Sequence, residues 1–356
     1  MGNIKVNTSN LTNVKAGSSN LSKVMVGTSQ VWPPPPAYVS FRDDFSTNTA
    51  ADYSVIYGAA VNISGGMLQA PTGNNQYVRT AQQFLTDDQI IRIQLGQDDA
   101  TSGRFTSVTG RCRADGDAWV NANCTNGDIW LRRRSFGGVE SDIASSSAPG
   151  TGNLNAGGWI ELVCVGDWYY VTWETAYTSG TTGVRVTYIS HNHTGGLVEY
   201  GVNNRYPGLK IDLFDIDTFE GADLAGVVAA SGATKSSTQT VNAATGWVQV
   251  TGFSARAGFP LNGFSGNTIV CNNAGTVNIS MYIALSISRS YQARMLRNGT
   301  PVATFGTAAG NRWLNSGNVT VAAGDVITIE VNNQDASNSM AITTASFFRV
   351  DPVFGV

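Results

Sequence analysis

Five acidic residues have side chains suited to catalysis or to metal binding. Asp215, Asp217 and Glu220 lie within six residues of one another. Retaining glycoside hydrolysis needs two carboxyl groups about 5–5.5 Å apart across the scissile bond. Calcium instead prefers oxygen ligands, which carboxylates on adjacent strands can supply. We therefore expect no cofactor other than a calcium ion, for which Asp43, Asp44, Asp215 and Asp217 are the candidate ligands; solvated carboxylates are the alternative.

Aromatic side chains, which stack on sugar rings, are concentrated in the middle of the chain. They are Trp119, Trp130, Trp168, Tyr169, Tyr170, Trp173 and Tyr177. Trp119 lies between Asp117 and Asn121, whose side chains can hydrogen-bond to sugar hydroxyls. We therefore predict that Trp119 is exposed and that it forms a ligand-binding surface together with Asp117 and Asn121.

The strand predicted at 168–173 divides its aromatic residues between two faces. Successive side chains of a strand point to opposite sides of the sheet, so Trp168 and Tyr170 share one face. Tyr169 and Trp173 share the other. One face belongs to the core, and alternation alone leaves open which one.

Histidine and cysteine form no recognisable site. For His191 and His193, in a polar stretch, a solvated loop is the favoured interpretation. The four cysteines lack the CxxC spacing of zinc and redox sites, so we expect buried free thiols, with a bridge between Cys112 and Cys124 as the alternative. No Ser-His-Asp order or phosphate-binding glycine loop can be assigned. We therefore expect no enzymatic activity.

The composition excludes several classes of partner. Charged residues make up 13% of the 356 residues and the net charge is −3, whereas charged residues are roughly a quarter of an average soluble domain. Such a chain has no basic footprint for nucleic acid. No apolar stretch is long enough to span a bilayer, and polar residues follow Met1 where a signal peptide would be apolar. We expect no nucleic-acid partner, no membrane insertion and synthesis in a cytoplasm.

Alternating apolar and polar residues, interrupted by Gly, Ser, Asn and Asp turns, predict an all-β chain. The pattern favours two β-sandwich (jelly-roll) domains, at 38–223 and 241–356, joined by a small, polar linker at 224–240. Asn298-Gly299, between alternating stretches, predicts a tight hairpin.

The N-terminal segment repeats every ten residues, at 4–11, 14–21 and 24–31. Each repeat has the composition of a short strand, a turn and a return strand, which predicts β-ribbon repeats over 1–32. Ribbons of this length bury too little apolar surface to stand alone, so we expect them to dock on a larger assembly. Four prolines then predict a stiff spacer at 33–37.

Three segments resemble known families. The ten-residue repeat followed by Trp32-Pro33 resembles the opening of minor tail proteins of phages that infect actinobacteria. The residues at 41–45 and 216–221 resemble the first and last strands of concanavalin A-like, laminin-G-like sandwiches, where these strands lie side by side. The residues at 319–330 and 346–350 resemble the complement-globular-head and tumour-necrosis-factor jelly roll, a trimeric family, which implies a homotrimer.

A further resemblance concerns catalysis. Laminarinase-type hydrolases on the concanavalin A-like fold carry Glu-x-Asp-x-(x)-Glu on one strand. Here Asp215, one methylene shorter, stands at the position of the nucleophile, and the segment ends the domain instead of lying mid-chain. The resemblance therefore favours a closing strand over a catalytic one.

Together these features predict a virion structural protein: a minor tail or receptor-binding protein that binds host cell-wall glycan. Its expected location is the virion tail, with other phage tail proteins as partners. The alternatives are a virion-associated glycoside hydrolase and a structural spike without a ligand.

Overall fold

The computed structural model describes residues 15–16, 19–20, 24–26, 29–32, 38–58, 60–69, 76–98, 106–125, 128–135, 138–147, 156–175, 185–196, 204–211, 214–243 and 245–355. The elements with described bounds are strands β1 to β32 and two short 3-10 helices, Ala50–Asp52 and Leu224–Gly226. The predicted all-β class is confirmed. The chain divides into two compact units, Met1–Tyr38 and Val39–Val356.

The first unit contains two short hairpins with the same pairing. Their strands are β1 (Lys15–Ala16), β2 (Ser19–Asn20), β3 (Val24–Val26) and β4 (Ser29–Trp32). Ala16 pairs with Ser19, and ten residues later Val26 pairs with Ser29. The second and third repeats therefore form the predicted ribbons. The first repeat, at 4–11, and the proline spacer at 33–37 lie outside the described residues.

The first sandwich consists of an eight-stranded and a seven-stranded sheet. Its strands are β5 (Ser40–Asp43), β6 (Tyr53–Tyr57), β7 (Ile63–Ser64), β8 (Met67–Leu68), β9 (Gln76–Thr80), β10 (Gln89–Asp98), β11 (Thr106–Cys112), β12 (Trp119–Cys124), β13 (Asp128–Arg134), β14 (Glu140–Ser147), β15 (Trp159–Val165), β16 (Trp168–Glu174), β17 (Arg185–Asn192), β18 (Tyr206–Ile211) and β19 (Phe214–Asp223). The eight-stranded sheet has the order β17-β16-β15-β10-β19-β8-β7, with β5 also paired to β19. The seven-stranded sheet has the order β14-β13-β12-β11-β18-β9-β6.

Alternation along these strands places one set of apolar side chains between the two sheets. Ile91 and Leu162 of the eight-stranded sheet meet Val108 and Leu209 of the seven-stranded sheet in one buried cluster. The first and last strands of the sandwich, β5 and β19, are antiparallel neighbours, as the resemblance implied. This pairing closes the domain and brings residues near position 42 beside residues near position 220.

The second sandwich consists of a five-stranded sheet, a six-stranded sheet and a small two-stranded sheet. Its strands are β20 (Ser231–Lys235), β21 (Gln239–Val241), β22 (Trp247–Gln249), β23 (Phe253–Ala255), β24 (Phe264–Ser265), β25 (Thr268–Val270), β26 (Gly275–Ile283), β27 (Ser290–Arg297), β28 (Thr300–Ala309), β29 (Arg312–Val321), β30 (Val326–Asn333), β31 (Met340–Ile342) and β32 (Phe347–Pro352). The five-stranded sheet has the order β23-β20-β32-β26-β29. The six-stranded sheet has the order β24-β25-β30-β27-β28, with β22 also on β30, and β21 pairs with β31. The chain crosses repeatedly between the two sheets, as in a jelly roll.

The segment 224–240, predicted to be a linker, belongs largely to the second sandwich. β20 lies between β23 and β32, and Ala233 at its centre is fully buried in the core. Small residues are required there: a Cβ on Gly232 would lie 2.5 Å from the ring of Phe259. The composition that resembles a linker is thus the composition of a closely packed strand.

The two sandwiches share a buried interface within the unit Val39–Val356. Ile90, Val163 and Ala222 of the eight-stranded sheet pack with Val227 and Phe354. This sheet is therefore covered on both faces, by its own sandwich on one side and partly by the second sandwich on the other.

A buried ionic cluster crosses the same interface. Arg185 Nη1 lies 3.1 Å from Glu174 Oε2, and Arg349 Nη2 of the second sandwich lies 3.1 Å from the same oxygen. Arg185 also contacts Glu161, and Arg349 also contacts Asp351 at 2.5 Å. All but Asp351 have side chains no more than 5% exposed. Carboxylates and guanidinium groups are buried here because they neutralise one another.

The structure also shows the state of the four cysteines and the absence of a membrane-spanning helix among the described residues. All four cysteines are buried and free, so the alternative bridge between Cys112 and Cys124 is not formed. Tyr77 and Cys112 share a hydrogen bond of 2.8 Å, and burial raises the pKa of the Cys112 thiol to about 12. Within the described residues no helix has the length and apolarity needed to cross a membrane.

Candidate functional site

Trp119, the residue predicted to be an exposed stacking platform, is buried. Its side chain is 2% exposed and forms a small cluster with Tyr77 and Cys112 on the seven-stranded sheet. The Tyr77 ring meets the indole edge-on at 6.1 Å, and Lys210 Nζ lies 5.8 Å from the indole centre. These side chains, from strands distant in sequence, cover the face that Trp119 occupies.

The predicted partners of Trp119 are equally unsuited to an exposed surface. Asn121 is buried. Asp117 is partly exposed, but its carboxylate lies 3.9 Å from Arg134 Nε. The prediction of an exposed ligand surface at Trp119, Asp117 and Asn121 is therefore wrong in its exposure.

The four aspartates predicted to bind calcium do not converge. Asp43 accepts hydrogen bonds from Thr49 Oγ1 at 2.6 Å and from Tyr53 Oη at 2.8 Å, so neighbouring hydroxyls satisfy it. Asp44 is exposed and accepts from the backbone N–H of Ser46. Among the described residues, which include Asp215 and Asp217, no group of three or more acidic, histidine or cysteine side chains is placed to hold a metal ion. The register puts Asp43 opposite Phe219 and not opposite Asp217.

The acidic segment of β19 is used for structure. Glu220 is fully buried, and its carboxylate contacts Arg42 at 2.8 Å and also contacts Arg92. The register of β19 against β10 shifts between Thr218 and Ile216, so Asp217 lies at a bulge. The contacts of Glu220 with Arg42 and Arg92 hold β5, β10 and β19 together.

The aromatic residues of β16 divide between the two faces as alternation predicts. Tyr169, Val171 and Trp173 are buried in the core of the first sandwich. Trp168 is 43% exposed and lies on the opposite face with Tyr170. The two rings are stacked, with centroids 6.0 Å apart and planes 9° from parallel. We call this pair the Trp168 platform.

Local structure holds the platform in place. Gly166 and Asp167 form the tight turn between β15 and β16, and Gly166 adopts a φ of +52°, which glycine tolerates best. The backbone N–H of His193 donates to the Asp167 carbonyl at 2.9 Å. Tyr170 packs against the apolar cluster between the sandwiches. Trp168 therefore lies over a ring that is itself anchored.

The platform borders a groove of about 420 Å³ between the two sandwiches. Thr187 and Ser190 of the edge strand β17 line it, together with Arg256 and the apolar residues Phe259 and Pro260 of the second sandwich. Aromatic surface beside hydroxyl groups and a guanidinium matches what a sugar presents, namely C–H faces edged by hydroxyls.

Arg256 is the charged residue among those that line the groove. Its guanidinium lies 3.6 Å from the centre of the Phe347 ring, and burial lowers its pKa from the ordinary value, although the nearby carboxylates of Glu174 and Asp351 oppose this. Nη1 of Arg256 is buried and meets no hydrogen-bond acceptor in the described part of the chain. A buried N–H without an acceptor is costly, so this guanidinium is held in the fold at a cost in free energy.

Sequence reasoning missed this groove for a definite reason. Alternation placed Trp168 and Tyr170 on the same face of β16. Which face is exposed depends on which one packs in the core, and the sequence does not show that. Arg256 gave no sequence signal, because it reaches the groove from a segment about ninety residues further along the chain than Trp168.

No protein-family model matches this chain. No curated protein is similar to it in sequence. Among solved structures, the winged bean acidic lectin complexed with methyl-α-D-galactose matches with 11% identity and a TM-score of 0.38, over 52% of this chain and 98% of the lectin. The carbohydrate-binding module CBM66 from Bacillus subtilis matches with 13% identity and a TM-score of 0.35, over 47% and 91% of the two chains. The CBM2 module of the evolved Dit of Lactobacillus casei BL23 phage J-1 matches with 9% identity and a TM-score of 0.36, over 52% and 96%.

Proposed function

We propose that this chain is a glycan-binding protein of a phage virion tail, which recognises the host cell-wall polysaccharide by binding and does not cleave it. The observation that carries glycan binding is the Trp168 platform, a stacked aromatic pair whose Trp168 ring is exposed. It borders a groove that Thr187, Ser190 and Arg256 also line. A sugar ring stacked on Trp168 would present its hydroxyl groups to these side chains.

The tail location is supported by the N-terminal ribbons. The second and third repeats form hairpins of identical register, and such small ribbons need a partner surface. Docking to other tail proteins would supply that surface and leave the sandwiches to face the host.

Binding without turnover is supported by the state of the acidic segment. Glu220 is enclosed and paired with two arginines, so it is not available to a substrate. The hydrolase alternative would have to rely on Asp215 and Asp217 alone.

The test uses the full chain and purified actinobacterial cell walls. Trp168→Ala should weaken binding by about 5- to 150-fold, because removing a stacked ring costs on the order of 1–3 kcal/mol. Val139→Ala, at a side chain that is 66% exposed and outside the groove, serves as the matched control and should bind normally.

Three outcomes separate the alternatives. Release of reducing sugar by the wild-type chain, abolished by Asp217→Asn, would replace binding by hydrolysis. If the chain binds no envelope fraction, the alternative of a structural spike without a ligand would be favoured. Wild-type affinity in Trp168→Ala would refute the platform as the glycan site.

A further inference from the structure

A second groove, of about 500 Å³, lies elsewhere between the two sandwiches. Its lining from the first sandwich includes Arg92 and Trp159, and its lining from the second includes Asn278, Trp313 and Asn315. We call it the inter-sandwich groove. None of the residues that form the Trp168 platform lines it.

Trp313 supplies an aromatic face to this groove. It is 40% exposed, and its ring is supported by Phe347 at 5.5 Å between centroids. Trp159 is less accessible, because the guanidinium of Arg92 lies 4.7 Å from its ring centre. Stacking on a ligand would therefore take place at Trp313.

Amide groups beside Trp313 are held in a fixed orientation. Asn315 Nδ2 donates to Asn278 Oδ1 at 2.6 Å and to Ser280 Oγ at 3.2 Å, while Asn315 Oδ1 accepts from the backbone N–H of Gly317. Asn278 Oδ1 therefore already accepts a hydrogen bond, and the amide NH₂ of Asn278 is the group that can donate to a ligand. A fixed donor and an aromatic face in one groove suit a sugar, which offers hydroxyl and ring oxygens as well as C–H faces.

Each arginine that lines the groove has a carboxylate partner. Arg42 and Arg92 both contact the buried Glu220, and Arg349 contacts Glu174 and Asp351. An anionic ligand would have to compete with these carboxylates for the arginines. The surface therefore favours an uncharged ligand that binds by stacking and by hydrogen bonds.

We propose that the inter-sandwich groove is a second binding site, specific for a neutral oligosaccharide, with Trp313 as the stacking residue and Asn278 as a hydrogen-bond donor. The proposal does not depend on the Trp168 platform, since the two grooves have separate stacking residues. Two sites on one chain would let a polysaccharide be held at two points, which raises avidity.

The test is calorimetric titration of the full chain with neutral tetrasaccharides of glucose, galactose, mannose and N-acetylglucosamine, at low and high salt. We expect at least one probe to bind with little dependence on salt. Trp313→Ala should weaken that binding by about ten-fold, and Asn278→Asp, which keeps the side-chain shape but removes the donor, should weaken it several-fold. Ile287→Ala, at a side chain that is 61% exposed and outside the groove, is the control and should change nothing.

The variants distinguish the two grooves. Loss of binding in Trp313→Ala with retention in Trp168→Ala supports the inter-sandwich groove, even if the platform fails. Loss in Trp168→Ala alone overturns the inter-sandwich groove and leaves the platform intact. If none of the neutral probes binds, or if only an oligo-uronate control binds and does so in a salt-dependent manner, the neutral-glycan site is rejected. Should Trp313→Ala melt at a lower temperature than the wild type, Asn278→Asp and Trp313→Phe decide the question.

Discussion

At the scale of single residues, exposure decides what each tryptophan can do. The 43% exposed ring of Trp168 can stack on a ligand, whereas the 2% exposed ring of Trp119 already packs against Tyr77. The first residue should therefore serve binding and the second stability.

Trp119→Ala should destabilise the protein by about 3–5 kcal/mol, because it leaves a large cavity in a buried cluster. Trp119→Phe should cost less, since the indole N–H makes no hydrogen bond to a described residue and only ring volume is lost. Denaturant unfolding of the full chain measures both free energies. Trp168→Ala is the comparison, and its stability should stay within about 1 kcal/mol of wild type. Unchanged stability in Trp119→Ala would contradict the burial described here.

At the scale of elements, the hairpin between β27 and β28 shows how a turn sets a register. Asn298 and Gly299 adopt φ values of 51° and 77°, so both central residues are left-handed, as in a type I′ turn. Arg297 pairs with Thr300 across it. The predicted Asn-Gly hairpin is confirmed.

Gly299→Ala should destabilise the second sandwich by about 1–2 kcal/mol, because a Cβ disfavours the left-handed conformation. Steric contact does not contribute, as nothing lies within 4 Å of the position of that Cβ. Gly306→Ala, on the strand β28 that follows the turn, has equal space and no left-handed φ, so it should be neutral or slightly stabilising. Thermal unfolding compares the two; equal effects would mean that conformation is not the cause.

The ribbon repeats lead to a prediction about docking. Gly27 occupies the repeat position that Gly17 and Asn7 also occupy, where a β-branched residue is disfavoured in a turn. Gly27→Val should reduce incorporation into phage particles while both sandwiches keep their unfolding temperature. Thr28→Val, which replaces one β-branched residue with another, should be incorporated normally. Normal incorporation of Gly27→Val would refute the docking role.

At the scale of the whole molecule, the buried ionic cluster couples the two sandwiches. Burial by itself raises the pKa of Glu174, but the charges of Arg349 and Arg185 and their hydrogen bonds outweigh it, so this pKa lies below the ordinary value of 4.5. The carboxylate therefore stabilises the fold above the unfolded-state pKa, and the contribution is lost as the pH falls through the folded-state value.

Glu174→Gln should destabilise the protein by about 3–5 kcal/mol at neutral pH, because it leaves two buried arginines without the shared carboxylate. Below pH about 4.5 the wild type should lose stability faster than the variant, which has no proton to take up at this position. Urea unfolding across the acidic range measures both effects. Glu330→Gln, in the partly exposed pair with Arg294, should cost about 1 kcal/mol or less. Parallel pH profiles for wild type and Glu174→Gln would contradict the proposed linkage.

Assembly is the remaining prediction at this scale. Because single ribbons bury too little surface and the second sandwich resembles a trimeric jelly roll, we expect a homotrimer with its threefold axis through residues 241–356. Light scattering of the purified chain at micromolar concentration gives the mass directly. A stable monomer would reject the trimer and leave docking to other tail proteins as the only support for the ribbons.

The sequence by itself determined what depends on neighbours along the chain. Period-two alternation located the strands, Asn298-Gly299 located a hairpin, and the ten-residue repeat predicted ribbons whose strands the structure confirms at 15–16, 19–20, 24–26 and 29–32. Each of these features follows from the backbone preferences of a few consecutive residues.

The tertiary structure alone decided which faces are exposed. Trp119 is covered by Tyr77 and Lys210, which belong to other strands, and the segment 231–235 is a core strand because its small residues meet Phe259. Both grooves are likewise made by segments that are distant in sequence and meet where the two sandwiches pack. Alternation assigns the side chains of a strand to two faces, one of which can be exposed. Whether that face is buried depends on segments that pack against it from elsewhere in the chain, and no local sequence pattern specifies those segments.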